Sequence, residues 1–185
     1  MVPAISLRAV LLASLWFASS TVAACGYDGR PQDIKAAHPQ SMTVALAIHQ
    51  AYQDGVLKKP VALPGGFGLR RAQLHLTRLA EALPVMDDKP TFTLLLVEPG
   101  LWSRYGEQLQ VHINAPEAGE VAVITGEGPL LALAKGELGF DQALEQGLIR
   151  VEGEDQARQR VIQRLRVATP LMASSGKSGA VALRM

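Results

Sequence analysis

The apolar positions of this chain change period several times, and each change marks an element. Leu69, Ala72, Leu76, Leu79 and Leu83 recur at spacings of three and four, the repeat of a helix with one buried face. Arg70, Arg71, Arg78 and Glu81 occupy its other positions, so a helix over 69–83 packed on a sheet is expected. Upstream, Val44, Ile48, Ala51 and Tyr52 share a face, which predicts a helix over 42–52 with Ser41 as N-cap and Asp54-Gly55 as its stop. Residues 92–97 are almost uniformly apolar, the mark of a strand covered on both faces. Glu98-Pro99-Gly100 is a turn signal, and 101–105 reads as the return strand. From Leu109 to Asn114 apolar and polar residues alternate strictly, which puts Val111 and Ile113 on one face and His112 on the polar surface. A further strand is expected over 121–125.

Residues 130–153, LLALAKGELGFDQALEQGLIRVEG, pack two helices, two glycine stops and a strand into a stretch with almost no loop. Pro129 suits a first helical turn, where its missing N–H is not needed. Gly136 and Gly147 sit where a left-handed residue would close each helix, and Asp141 is the expected N-cap of the second. Arg150 then lies between Ile149 and Val151 in a strand, and Gly153 leads to a last helix over 155–166. Consecutive strands with short turns, followed by a helix pair, argue for an α+β fold with an antiparallel sheet of about five strands covered by helices.

Leu131, Leu133, Gly136, Leu138, Gln142, Ala143, Gly147, Ile149 and Gly153 fall in the order seen in the distal half of the sterol-carrier-protein (type two) domain, which this region resembles. The resemblance spans about residues 69–166 and is concentrated over 121–153. It implies a lipid-binding cavity between sheet and helices. The wall it implies is Phe92, Leu94, Leu96, Val111, Ile113, Val123, Leu131, Leu133, Phe140 and Leu144. A filled core would draw on the same residues.

The ends of the chain read differently. Arg8 is the only charge among the first 24 residues and precedes an apolar run over 9–18, too short to span a bilayer, which takes about 20 apolar residues. Small residues follow, so 1–24 reads as a secretion signal. Val22-Ala23-Ala24-Cys25 resembles the bacterial lipobox, which implies lipidation of Cys25, the only cysteine, and attachment to a membrane surface. A lone cysteine forms no internal disulfide, so the exported domain must be stable without one. The expected organisation is a signal over 1–24, an extension with one helix over 25–68, the α+β domain over 69–166 and a flexible tail over 167–185.

Charge narrows the partners. Residues 84–155 carry 13 acids against 4 bases, and 156–185 carry 6 bases and no acid. An acidic middle within a nearly neutral chain lacks the concentrated basic face that nucleic acid requires, so no nucleic-acid partner is expected. His38, His49, His75 and His112 lie on separate segments without metal-ligand spacing, so no metal and no cofactor are expected. No nucleophile, base and oxyanion site fall together, and no catalytic residue is assigned. The reading is non-catalytic binding of a lipid or other hydrophobic small molecule in the periplasm. The alternative is a structural or interaction module of the envelope with a filled core.

Overall fold

The structure, a computed structural model, describes residues 38–64, 66–85, 90–114 and 116–181. The expected signal peptide and Cys25 lie outside the described residues. The elements in chain order are α1 (Ser41–Gln53), α2 (Phe67–Ala82), β1 (Phe92–Leu96), β2 (Leu101–Tyr105), β3 (Leu109–Ile113), β4 (Val121–Thr125), α3 (Glu127–Lys135), α4 (Phe140–Glu145), β5 (Arg150–Glu152) and α5 (Asp155–Val181). Among the described residues no helix is long and apolar enough to cross a membrane.

The fold is α+β with five strands, but the sheet is mixed rather than antiparallel. Its order is β3-β2-β1-β4-β5, and β4 runs parallel to β1 while the other neighbours are antiparallel. Short turns join β1 to β2 and β2 to β3. The next strand, β4, lies against the other edge of β1. A strand buried on both faces cannot leave that edge unpaired, because its N–H and C=O groups would have no partner. Both β1 and β4 are buried along their whole length.

Partners in register share a face. One row across the sheet is Val111, Ser103, Leu94, Val123 and Val151, and the next joins Leu109, Tyr105, Phe92 and Val121. This face looks toward α2, because the Tyr105 hydroxyl donates to the Leu76 carbonyl at 3.1 Å. Phe92 stacks on Tyr105 with ring centres 4.7 Å apart. The opposite face carries Leu95, Trp102 and Ile124. There α1 packs on β4, and His38 just ahead of α1 meets the Trp102 ring edge-on.

Strict alternation in β3 does not survive. His112 takes φ 69°, and the register shifts so that Ile113 pairs with Trp102 while Val111 pairs with Ser103. The extra residue of this bulge turns Ile113 to the face opposite Val111. His112 is accordingly half-buried within the bulge and is not a plain surface residue.

Helix ends follow the glycines more closely than the polar caps. Gly136 and Gly147 are left-handed at φ 69° and 68°, as expected of stops. Ser41 is the first residue of α1 and makes no side-chain cap; the cap position is Gln40. Asp141 lies inside α4, after the cap Gly139, and pairs instead with Arg166 of α5 at 2.7 Å. The Glu154 carboxylate accepts the N–H groups of Gln156 and Ala157, capping α5, and those bonds hold it below the usual carboxylate range.

The expected end of the last helix at Arg166 is also corrected. α5 continues through 167–181, where a flexible tail was expected. Ala168 and Met172 are buried at 0% and 1% exposure, and a Cβ built on Gly136 would lie 3.2 Å from that of Ala173. Burial against α3 therefore carries the helix through a stretch of low helical propensity. Pro170 is tolerated on its exposed side.

Candidate functional site

The structure gathers part of the expected wall. Phe92, Leu94, Leu96, Val111 and Val123 share the α2-facing side of the sheet by register. Leu133 of α3 and Phe140 of α4 are buried in the same core. Leu144 and Val111 are half-buried and pack at its margin, and Leu131 is half-buried. Ile113 is the exception, placed on the other face by the bulge at His112. Phe92 and Leu96 are 0% exposed, and Leu94 and Val123 are 2% exposed, so no water-sized space lies against these four.

Polar atoms on this face decide what it can hold. Tyr105 is satisfied by the Leu76 carbonyl, and the Thr125 hydroxyl donates to the Leu148 carbonyl at 3.0 Å. The Ser103 hydroxyl, beside Leu94 in the row, is fully buried and has no partner among the described residues. A buried hydroxyl without a partner costs about 1–3 kcal/mol. A largely apolar wall with a few placed polar groups is the usual form of a small-molecule site. Ser103 was not singled out from sequence, since a serine in a short strand carries no distinguishing pattern.

A second polar group stands where the parallel strands β1 and β4 end. The Glu98 carboxylate accepts the Tyr52 hydroxyl at 3.1 Å and the Glu127 N–H at 3.0 Å. Glu127 is buried at the start of α3 and is paired with Arg71 of α2, whose guanidinium also donates to the Val61 carbonyl. Burial pushes the Glu127 carboxyl up to about 7. The Tyr52 hydroxyl is pushed well above its ordinary value by burial first, then by the Glu98 charge. This cluster ties α1, α2, α3 and the end of β1 together. Its residues are scattered over 52–127, and sequence spacing gives no hint that they meet.

Two glycines make the approach possible. A Cβ on Gly128 would lie 2.1 Å from the Tyr52 hydroxyl oxygen, and one on Gly126 would lie 2.6 Å from both Glu98 oxygens and the Ile48 Cδ1. Gly128→Ala should therefore lower stability by about 1–3 kcal/mol, because Tyr52 must leave Glu98 to make room. A urea midpoint equal to that of the native protein would show that Tyr52 yields at no cost.

No group of three or more metal-ligating side chains occurs among the described residues. An open groove of about 490 Å³ lies along Asp155, Gln156, Gln159, Arg160 and Gln163 of α5. It is formed by one helix face and contains none of the expected wall residues. Comparison of the chain with protein-family models, with curated proteins and with solved structures finds no match.

Proposed function

We propose that this domain is a non-catalytic binding module for a lipid or other hydrophobic small molecule, of the kind sheltered by the sterol-carrier-like domain that residues 69–166 resemble. The observation that carries the reading is the unpartnered, fully buried Ser103 hydroxyl within the apolar row Val111, Leu94, Val123 and Val151. A guest with one polar atom supplies that hydroxyl with a partner while its hydrocarbon lies against the row. The gain is burial, about 25 cal/mol for each square ångström of apolar surface taken from water. Since Phe92, Leu94, Leu96 and Val123 are closely packed, the helices must part to admit a guest. On this reading the protein acts in the bacterial periplasm, and Cys25 tethers it to a membrane surface.

That close packing favours a second reading, a structural or interaction module of the envelope with a filled core. Solvent extraction of the denatured, purified protein followed by mass spectrometry separates the two. The binding reading expects stoichiometric lipid, with recovery reduced severalfold in Ser103→Ala. Repeated recovery of none, together with a more stable Ser103→Ala variant and no response to fatty-acid or sterol probes, would establish the filled-core module.

A further inference from the structure

The segment between α1 and α2 turns large apolar side chains to water. Val56, Val61, Leu63 and Phe67 lie between 41% and 73% exposed, although each is of a residue type usually buried. Single apolar side chains on a surface are ordinary, whereas a group of them marks a contact. Three observations gather this group. Phe67 and Arg71 stand four residues apart at the start of α2 and so share its face. The Arg71 guanidinium donates to the Val61 carbonyl at 2.8 Å, which folds the segment back onto that face. The Arg70 guanidinium lies 5.8 Å from the centre of the Phe67 ring. Val61, Phe67 and Arg70 therefore form one patch, with Leu63 on the chain between the first two.

Charge says what the patch meets. Residues 55–80 carry Lys58, Lys59, Arg70, Arg71 and Arg78 and no acid. Arg71 is engaged by Glu127, whereas Lys58, Lys59 and Arg70 are exposed. The two lysines precede Val61 by at most about 10 Å of chain, roughly one Debye length at physiological salt. Exposed aliphatic and phenylalanine side chains rimmed by lysine and arginine suit the boundary of a bilayer. There the apolar tips enter the acyl region and the cations meet phosphate. On the tether proposed for Cys25, residues 26–37 are a leash of at most about 45 Å, so the bilayer stays within reach of the patch.

We propose that this segment, with the start of α2, docks on an anionic phospholipid surface: Val61, Leu63 and Phe67 enter the acyl boundary while Lys58, Lys59 and Arg70 meet the headgroup phosphates. The inference goes beyond the binding module proposed above and holds whether the core behind it takes a guest or is filled. It gives the domain a reversible hold of its own on the bilayer, in addition to any lipid chain on Cys25. It also brings to the bilayer α2, the helix that covers the Ser103 face of the sheet.

Co-sedimentation with vesicles tests this, using the full chain in a Cys25→Ser background, where no lipid chain can be attached. The parent should bind vesicles of phosphatidylethanolamine with phosphatidylglycerol, bind vesicles of phosphatidylcholine at least tenfold more weakly, and lose affinity as salt is raised. Lys58→Gln/Lys59→Gln should weaken binding to the anionic vesicles about tenfold or more, since each base near the surface is worth roughly fivefold. Phe67→Ser should weaken it severalfold, and Phe67→Trp should restore it with added emission that shifts to the blue on the vesicles. All four side chains changed are exposed, so the variants keep the fold, which circular dichroism and urea midpoints verify. Residues 1–57 are the same in every chain apart from the shared Cys25→Ser, so differences report the patch alone. A parent that ignores anionic vesicles would overturn the proposal. So would equal binding to phosphatidylcholine, variants that bind as the parent does, or a tryptophan at 67 whose emission the vesicles leave unchanged.

Discussion

Phe92→Ala is expected to cost about 3–5 kcal/mol. Phe92 lies on the central strand β1, is 0% exposed, stacks on the Tyr105 ring at 4.7 Å, and pairs in register with Val121 of β4. Its removal takes away both the transfer of a whole ring from water and the contacts that keep Tyr105 in place beneath α2. The Tyr105 hydroxyl must hold its 3.1 Å bond to the Leu76 carbonyl without that support. Burial already pushes this phenol well above its ordinary value, so it stays a neutral donor. Urea denaturation should show a markedly lower midpoint at an unchanged slope. A loss below about 1 kcal/mol would mean that the sheet–helix layer collapses freely around the deletion, contrary to its close packing.

The second large effect concerns pH. Burial raises the Glu127 carboxyl to about 7, above the ordinary value of 4.5 that it regains on unfolding. The folded state therefore holds this proton more tightly than the unfolded state does. The resulting stability is fully present below about pH 4.5 and is lost as pH rises through about 7. The full difference is on the order of 3 kcal/mol, reduced by whatever attraction the Arg71 guanidinium returns once the carboxyl ionises. Glu127→Gln removes the titration and keeps the side-chain volume. The gap between native and variant stability should shift by roughly 1–3 kcal/mol in favour of the variant between pH 5 and pH 8.

Two histidines work in the opposite direction. Burial is the largest cause holding both His38 and His75 below their ordinary value of 6.5, so their contribution is gained as pH rises toward that value. The native curve alone can therefore look flat, and it is the native-minus-variant difference that isolates Glu127. A difference that stays constant from pH 5 to pH 8 would show that Arg71 keeps the carboxyl ionised throughout.

Much of the local structure was legible in the chain. The three-and-four spacing of Leu69 through Leu83 located α2 to within two residues, and 101–105 and 121–125 are strands over the expected positions. Gly136 and Gly147 end helices at positive φ, for which a residue without Cβ is favoured. The apolar run over 92–97 marked a strand covered on both sides, and β1 is buried along its whole length. These features depend on neighbours a few residues apart, and that is the range over which periodicity carries information.

What the pattern could not reach was decided over longer separations. Strict alternation over 109–114 placed Val111 and Ile113 together, but the pairing of β3 with β2 carries a bulge at His112 that turns Ile113 away. A weak helical stretch after Arg166 stays helical because Ala168 and Met172 are buried there. Ser103, His75 and the Glu98–Glu127–Arg71–Tyr52 cluster look like ordinary polar residues in the sequence, and become unusual only through what surrounds them.

By itself, then, the chain determined which segments are helix or strand, where glycines end them, and which side chains are apolar enough to be buried. Only the tertiary structure decided that β4 pairs parallel to β1, and that a serine hydroxyl and an imidazole nitrogen are buried without partners. The reason is physical: backbone propensity and hydrophobic period act locally, whereas strand pairing and desolvation depend on residues that meet only when the chain has folded.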